Sequence, residues 1–244
     1  MSTFSQELFA GKTAIVTGGT SGLGAGSAQY LAELGATVYA VGLGSDKVTF
    51  PEHLDIRVRE VDVTNDEHLM SLYSELDSLD ILMPAAGISM GDRELEWEPF
   101  NKVLAIQLNG VYRTIQLAHP LLAAHGGSIV MVASMYSFFG GGKRAAYSAA
   151  KGGITQLTKS LAEAYAPDHI RVNAIAPGWI DTPLLAPLKA DQALSDRILS
   201  RTPLGRYGTP EEIGKVTAFL ASDAASFITG VVLPVDGGYL VTGI

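Results

Sequence analysis

Tyr147 and Lys151 lie four residues apart and form the pair in this sequence best suited to proton transfer. They belong to the alanine-rich run 144–153, and in a helix the residues i and i+4 lie on the same face. A tyrosine phenol has a reference pKa of about 10, and a nearby lysine cation lowers that pKa because it favours the phenolate. The same spacing also occurs in surface pairs without a function. Whether this pair is catalytic must therefore be judged from the elements around it.

The glycine-rich turn 18–24 has the composition of a phosphate-binding loop. A β-prone apolar run at 13–17 precedes it, and residues 25–34 have the apolar periodicity of a helix. A helix N-terminus offers free N–H groups to a pyrophosphate, and glycines let the phosphate approach the backbone. The spacing is G-x-x-x-G-x-G rather than G-x-G-x-x-G, and the turn alone could be a flexible loop. In this context we predict a dinucleotide site formed by Gly18, Thr20, Ser21, Gly22, Leu23 and Gly24.

The end of the predicted second strand, 35–41, bears on which dinucleotide is bound. In dinucleotide folds an acid at this point holds the adenosine ribose, whereas a nearby arginine accommodates a 2′-phosphate. Residues 42–45 contain neither, although Leu43 is placed to contact the cofactor, and no arginine occurs between residues 11 and 51. Asp46 is a candidate ribose ligand, but a solvated loop acid is the favoured interpretation. The sequence therefore favours NAD over NADP.

Predicted strands at 56–61 and 80–83 also lead into candidate cofactor contacts. After the first strand, the Asp62 carboxylate could meet the adenine amino group or, equally, cap the next helix. After the second, small residues would let a cofactor lie close to the backbone. The contacts predicted at these two strand ends are Asp62, Val63, Ala86 and Gly87.

Two later strands, 128–133 and 171–176, are predicted to end at the same edge of the sheet. Ser134 follows the first of them, at the carboxyl end where ligands bind in open parallel sheets. Pro177 and Gly178 end the second. Residues 178–207 then mix apolar residues and prolines without a period, which is typical of a flap over a site and also of an ordinary surface excursion.

Strands and helices alternate along all 244 residues, which predicts one α/β domain over residues 1–244. The expected fold is Rossmann-like, a doubly wound parallel β-sheet flanked by helices on both faces. A net charge of −8 argues against nucleic-acid and anionic membrane partners. The sequence has no cysteine, which excludes disulfides and thiolate metal sites, and no metal site is predicted. Residues 1–7 do not resemble a signal peptide, so we expect a soluble cytoplasmic protein.

Together these motifs resemble the short-chain dehydrogenase/reductase family, in its single-domain, tyrosine-dependent branch. The resemblance extends from Lys12 to Gly238. The family's glycine motif is matched by residues 17–24, its Y-x-x-x-K pair by Tyr147 and Lys151, its serine by Ser134, its helix asparagine by Asn109, and its P-G motif and threonine by Pro177, Gly178 and Thr182. From the residues alone, Asn109 would be interpreted as structural. The family's N-N-A-G reads Pro84-Ala85-Ala86-Gly87 here, and the missing acid after the second strand is a second departure.

The resemblance implies an NAD(P)-dependent hydride transfer that interconverts a secondary alcohol and a ketone. Tyr147 would be the general acid or base, and Ser134 would bind the substrate oxygen. Lys151 would lower the Tyr147 pKa and bind the nicotinamide ribose, while Asn109 would hold a water that links Lys151 to solvent. Ile180 and Thr182 would meet the carboxamide.

The substrate is less defined by the sequence. Met135 and Trp179 are predicted to contact it together with Ser134 and Tyr147. The wider set of pocket candidates is Ser89, Met90, Phe138, Phe139, Leu184 and Leu185. Arg144 could receive a carboxylate, but a solvated arginine at a helix start is favoured. The sequence does not choose among four substrate classes, which are sugar-derived alcohols or acids, small diols, cyclic ketones and 3-oxoacyl thioesters.

Two other functions are weighed against this one. A nucleotide-binding redox sensor without catalysis would not need the set formed by Ser134, Tyr147, Lys151 and Asn109. An enoyl reductase fits poorly, because that related branch resembles a wider Tyr–Lys spacing. The family commonly forms homotetramers through its two long central helices, here those with Asn109 and Tyr147, and its C-terminal segment. Apolar Leu240, Val241 and Ile244 are consistent with such an interface.

Overall fold

A single sheet of seven parallel strands forms the centre of the protein, in a computed structural model that describes residues 4–242. The strands are β1 (Thr13–Thr17), β2 (Thr37–Gly42), β3 (Ile56–Glu60), β4 (Ile81–Pro84), β5 (Gly127–Val132), β6 (Ile170–Pro177) and β7 (Val232–Val235). Their spatial order is β3-β2-β1-β4-β5-β6-β7. The order reverses between β1 and β4, and in open parallel sheets ligands bind at the carboxyl ends of the strands at such a point.

The described part of the chain contains eight α-helices. They are α1 (Gly22–Glu33), α2 (Asp66–Ser74), α3 (Trp97–Leu104), α4 (Val111–Ala123), α5 (Ala145–Tyr165), α6 (Ala186–Lys189), α7 (Gln192–Arg201) and α8 (Pro210–Ala221). Of these, α6 and α7 belong to the segment between β6 and α8. The predicted doubly wound α/β fold is thereby confirmed. Within residues 4–242, no helix combines the length and apolar character that a membrane crossing would need.

The core consists of two apolar layers, because successive residues of each strand face opposite sides of the sheet. In β1, Ile15 belongs to the layer under α2, α4 and α5, whereas Val16 belongs to the layer under α1 and α8. Both side chains are fully buried. The run of apolar residues in β1 is therefore typical of a strand that is covered on both faces.

The chain from α3 to α4 is not one regular helix. Ala105–Gly110 forms a π-helical turn between α3 and α4, and α4 continues to Ala123. A π-helical turn holds more residues than an α-helical turn, so it changes which side chains face the sheet.

The two ends of the segment 178–207, between β6 and α8, are held together by backbone hydrogen bonds. The N–H of Asp181 donates to the Gly208 carbonyl at 2.9 Å, and the N–H of Gly208 donates to the Trp179 carbonyl at 2.9 Å. Between these contacts the chain forms α6 and α7. The segment therefore has a closed base, as a flap requires, and its movement stays a prediction.

Candidate active site

Ser134, Tyr147 and Lys151 line one pocket at the carboxyl ends of the central strands. Ser134 lies just after β5, whereas Tyr147 and Lys151 lie one turn apart on α5. The Ser137 hydroxyl donates to the Lys151 carbonyl at 2.7 Å and so ties the chain after β5 to α5. The three residues grouped by their sequence motifs are thus brought together by two elements with a direct connection.

The Tyr147 side chain is half-buried where it lines the pocket, and loss of solvation raises the pKa of its phenol above the ordinary value of 10. A hydrogen bond with Ser134 and the positive charge of Arg144 act in the opposite direction, but burial is the larger influence. We expected Lys151 to lower this pKa, and in the protein alone the net shift is upward. The reason is that the pocket excludes water from the phenol, which disfavours the phenolate.

Lys151 is buried beneath the tyrosine ring. Its Nζ donates to the Val132 carbonyl at 2.8 Å and lies 5.6 Å from the centre of the Tyr147 ring. Among residues 4–242, no carboxylate forms an ion pair with it, and burial lowers its pKa to about 7. The lysine is therefore poised between its charged and neutral forms near neutral pH.

The glycine-rich turn has the geometry of an anion cradle. A Cβ on Gly24 would lie 2.2 Å from the Gly18 carbonyl oxygen, and Gly18 itself has a φ of +67°. Ser21 precedes α1 without capping it through its side chain, so the first N–H groups of the helix face the pocket. Free N–H groups at a helix N-terminus suit a pyrophosphate, and these residues therefore fit a dinucleotide.

The predicted contacts of this turn fall into two sets. Gly18, Ser21, Gly22, Leu23 and Gly24 line the pocket. Thr20 is directed away from it, because its hydroxyl donates to the Leu43 carbonyl at 3.0 Å and so holds the loop after β2.

Further predicted cofactor contacts line the same pocket. Gly87, Pro177, Gly178, Ile180 and Thr182 all line it. Ala85 lines it in place of the predicted Ala86, whose N–H lies 3.4 Å from the Thr17 hydroxyl. The small residues after β4 thus leave space next to the backbone, as predicted, although the lining alanine is one residue earlier.

The predicted adenosine contacts lie outside this pocket. Leu43 is exposed and Val63 is buried in the protein. One Asp62 oxygen accepts the Thr64 N–H at 2.9 Å and the Thr64 hydroxyl at 2.7 Å, and these bonds lower the pKa of Asp62. The structure therefore gives Asp62 a turn-stabilising role, and its contact with adenine stays a prediction.

Sequence reasoning missed Glu60, which pairs in register with Gly42 across β2 and β3. Its two carboxylate oxygens accept the N–H of Gly44 at 3.1 Å and the N–H of Ser45 at 2.8 Å. These bonds lower the pKa of Glu60. An anionic side chain is thus present at the loop after β2, supplied by the neighbouring strand.

The structure does not place Asn109 among the residues that line this pocket. Asn109 is exposed, whereas Gln107 is buried and lines the pocket. Gln107 Nε2 donates to the Ile88 carbonyl at 2.5 Å, and a Cβ on Gly87 would lie 2.9 Å from its Oε1. Residues two positions apart point to nearly opposite sides of a helix, so Gln107 faces inward and Asn109 outward.

A polar cluster beside Tyr147 was also missed. Glu94 is fully buried, and its carboxylate accepts the Ser89 hydroxyl at 2.9 Å, the Met90 N–H at 3.0 Å and the Tyr147 N–H at 2.9 Å. Arg144 Nη1 donates to the Ser89 hydroxyl. The acid-rich stretch 91–96 has the appearance of a surface loop, so no sequence signal distinguishes Glu94 from its neighbours.

The predicted substrate contacts are partly brought together. Met135, Trp179, Ser89, Leu184 and Leu185 line the pocket. Met90, Phe138 and Phe139 are not among the lining residues; Phe139 packs against Tyr136 and Tyr239, with ring centres 5.1 and 6.3 Å apart. The lining is largely apolar on the side of α6 and polar around Arg144.

Comparisons with known proteins agree over nearly the whole chain. A family model described as enoyl-(acyl carrier protein) reductase matches residues 18–240. The cis-4-hydroxycyclohexanecarboxylate dehydrogenase of Sinomonas cyclohexanicum is 42% identical over 96% of this chain and 98% of its own length. The 2-dehydro-3-deoxy-D-gluconate 5-dehydrogenase of Bacillus subtilis is 37% identical over 94% of this chain and 95% of its own length.

The fold is shared with solved structures. One, from Agrobacterium tumefaciens, is described as a candidate 2-deoxy-D-gluconate 3-dehydrogenase with bound NADP. It superposes with a TM-score of 0.90 at 33% identity and covers 98% of this chain and 100% of its own.

Proposed function

The chain belongs to the short-chain dehydrogenase/reductase family, and from this premise we propose how its residues interconvert a secondary alcohol and a ketone. The observation that carries the proposal is the placement of Ser134, Tyr147 and Lys151 in one pocket with the glycine cradle. When bound, the nicotinamide supplies hydride acceptance or donation. The protein supplies binding, orientation and a path for the proton.

Tyr147 takes the alcohol proton in oxidation and returns it in ketone reduction. Ser134, which hydrogen-bonds the phenol, holds the substrate oxygen in line with it. Lys151 holds the nicotinamide ribose and adds positive charge below the ring. In this proposal Gln107, rather than Asn109, provides the polar group that holds water next to the lysine, because Gln107 lines the pocket.

The dinucleotide is held by the turn residues from Gly18 to Gly24 and, on the other side, by Pro177, Gly178, Ile180 and Thr182. Leu43, Asp62 and Val63 would contact the adenosine half. Residues 178–207 act as the flap that closes over the substrate within the single domain. Both assignments are part of the proposal.

A turnover assay tests the function. Cyclic alcohols, sugar acids and 3-oxoacyl thioesters form the first panel, because two relatives are named for a hydroxycyclohexanecarboxylate and a deoxygluconate derivative. The relatives' names refer to alcohol or keto groups, so we do not propose the enoyl reduction in the family model's description. Reduced nicotinamide formation with at least one alcohol is expected, and its absence with every compound would contradict the proposal.

We propose that NAD is preferred over NADP. The Glu60 carboxylate occupies the N–H groups of Gly44 and Ser45, at the loop where a 2′-phosphate would lie. A negative group there repels a second negative group. We expect NADH to bind more tightly than NADPH, as measured by nicotinamide fluorescence at physiological salt.

The variant Glu60→Gln should narrow this preference by raising NADPH affinity. Glu163→Gln removes the same charge from an exposed position on α5 and should leave the ratio of NADH affinity to NADPH affinity unchanged. Tighter binding of NADPH by the unmodified protein would show that the loop after β2 contains a phosphate site.

We propose that the protein is a cytoplasmic homotetramer formed through α4, α5 and the C-terminal segment. Tyr112 on α4 and Val241 near the chain end are exposed apolar residues, and Leu240 is half-buried. Ile244, the third predicted apolar contact, lies outside the described residues. Light scattering at working concentration should give four times the mass of 25.7 kDa, and a monomer would contradict the assignment.

A further inference from the structure

The guanidinium of Arg144 lies in the wall of the pocket that contains Ser134 and Tyr147. Arg144 immediately precedes α5 and is half-buried, so it is not the solvated helix-start arginine that the sequence favoured. Its positive charge acts on the phenols of both Tyr136 and Tyr147 and lowers their pKa values against burial. The cation is therefore within electrostatic reach of the oxygen that exchanges the proton.

Arg144 is held in place without being neutralised by a direct ion pair. Nη1 donates to the Ser89 hydroxyl, which in turn donates to Glu94. Both oxygens of Glu94 are already engaged, by Ser89 and Met90 on one side and by the Tyr147 N–H on the other. Within residues 4–242 no carboxylate forms an ion pair with Arg144, and no further protein hydrogen bond occupies its guanidinium.

The other cation of the pocket is not available to an anion in the same way. Lys151 Nζ is directed to the Val132 carbonyl beneath the tyrosine ring. Its neighbour Lys143 lies outside the pocket, where it pairs with Asp92 at 2.8 Å. Arg144 is therefore the lining cation with free donors, and apolar side chains that include Leu184, Leu185 and Leu188 line the same pocket.

We propose that Arg144 binds a carboxylate of the substrate, so that the alcohol oxidised at Tyr147 is a hydroxy acid and its product is an oxo acid. A guanidinium presents parallel N–H groups that match the two oxygens of a carboxylate. With the alcohol oxygen at Ser134 and the carboxylate at Arg144, the carbon frame between them lies against the apolar side chains of the pocket. Two fixed ends orient the reacting carbon. This inference rests on the proposed function.

The test compares two substrates that differ only in charge, 4-hydroxycyclohexanecarboxylate and 4-hydroxycyclohexanecarboxamide. The unmodified protein should prefer the acid. Arg144→Gln should lower kcat/KM for the acid by about 10- to 100-fold, the range of a hydrogen-bonded charge contact, mainly through KM. It should lower kcat/KM for the amide by a much smaller factor, because with the amide only the effect of the positive charge on Tyr147 is lost. Arg144→Lys should recover part of the loss, because it restores the charge without the paired N–H groups.

Lys143→Gln is the matched control, since it removes the adjacent positive charge from outside the pocket. It should leave both substrates unaffected. Equal losses on the acid and the amide in Arg144→Gln would mean that Arg144 only supports the fold around Tyr147, and the inference would be overturned. Equal use of both compounds by the unmodified protein would also overturn it, while leaving the alcohol–ketone function intact.

A binding measurement separates this inference from the function on which it rests. Cyclohexanecarboxylate lacks the reacting hydroxyl, and its binding to the protein with NADH can be followed by calorimetry without turnover. We expect Arg144→Gln to weaken that binding by about 10-fold or more. Equal affinity in the two proteins would refute the carboxylate site whatever the turnover assay gives, and weaker binding without turnover of any alcohol would refute the function alone.

Discussion

Replacing Tyr147 by phenylalanine should lower kcat by about 10²- to 10⁴-fold, the usual contribution of a positioned general acid or base. The substitution removes the hydroxyl that exchanges the proton and keeps the ring. The edge-on contact of that ring with Tyr136, at 5.7 Å between centres, needs no hydroxyl. The backbone bond from residue 147 to Glu94 is also retained. Steady-state turnover and nicotinamide fluorescence on the same preparation measure catalysis and cofactor affinity separately.

Tyr136→Phe is the control for this change, because it removes a neighbouring hydroxyl from the same pocket. Its turnover should stay close to that of the unmodified protein, and both variants should bind the nucleotide with nearly unchanged affinity. If Tyr147→Phe turns over alcohols as fast as the unmodified protein, Tyr147 is not the acid or base. If no form of the protein turns over any alcohol or ketone while all bind the nucleotide, a redox-sensing role gains support.

The sheet and the grouping of Ser134, Tyr147 and Lys151 in one pocket were predictable because their signals are local. Apolar runs bounded by glycines specify buried strands, and the strand–turn–helix around Gly18 identifies β1, since parallel strands expose ligands at their carboxyl ends. To predict that Tyr147 and Lys151 share a face, it was enough to assume a regular helix. Ser134 needed only its position after a strand.

Other parts of the site depend on packing that no local pattern records. Gln107 and Asn109 lie two residues apart in a segment with a π-helical turn, and apolar periodicity does not show which of them faces the pocket. Glu60 reaches the loop after β2 only because β3 is the neighbour of β2 in the sheet. Glu94 and Arg144 come from separate segments that meet through Ser89. Sequence reasoning treated Arg144 as solvated and did not single out Glu94, because charged loop residues are usually solvated.

The upward shift of the Tyr147 pKa also follows from packing rather than from residue type. The same enclosed pocket that raises the pKa of the phenol lowers that of Lys151. Burial penalises the charged form in both cases, so the two shifts have opposite signs and one cause. The protein thus retains a tyrosine and a lysine that are both neutral more often than their free counterparts.

Because burial disfavours the charged form of Lys151, we expect this residue to lower the stability of the folded protein. Its folded pKa of about 7 lies below the reference value of 10.5, so between those values the unfolded chain binds a proton that the folded chain does not. Raising the pH therefore increases the free energy of unfolding, by about 1.4 kcal/mol for each pH unit and roughly 3 kcal/mol from pH 7 to pH 9. Below pH 7 the full cost is present.

Lys151→Met should therefore lower turnover by orders of magnitude and still raise Tm. The gain should be about 5 °C or more at pH 6 and smaller at pH 9, since the unmodified protein recovers stability as the pH rises. Thermal unfolding of both proteins at equal concentration measures this. Lys143→Met removes an exposed lysine and should show no pH-dependent gain. An equal fall in Tm at both pH values would mean that the bond to the Val132 carbonyl outweighs the cost of burying the cation. A gain confined to low pH would indicate that the lysine is retained for chemistry at the expense of stability.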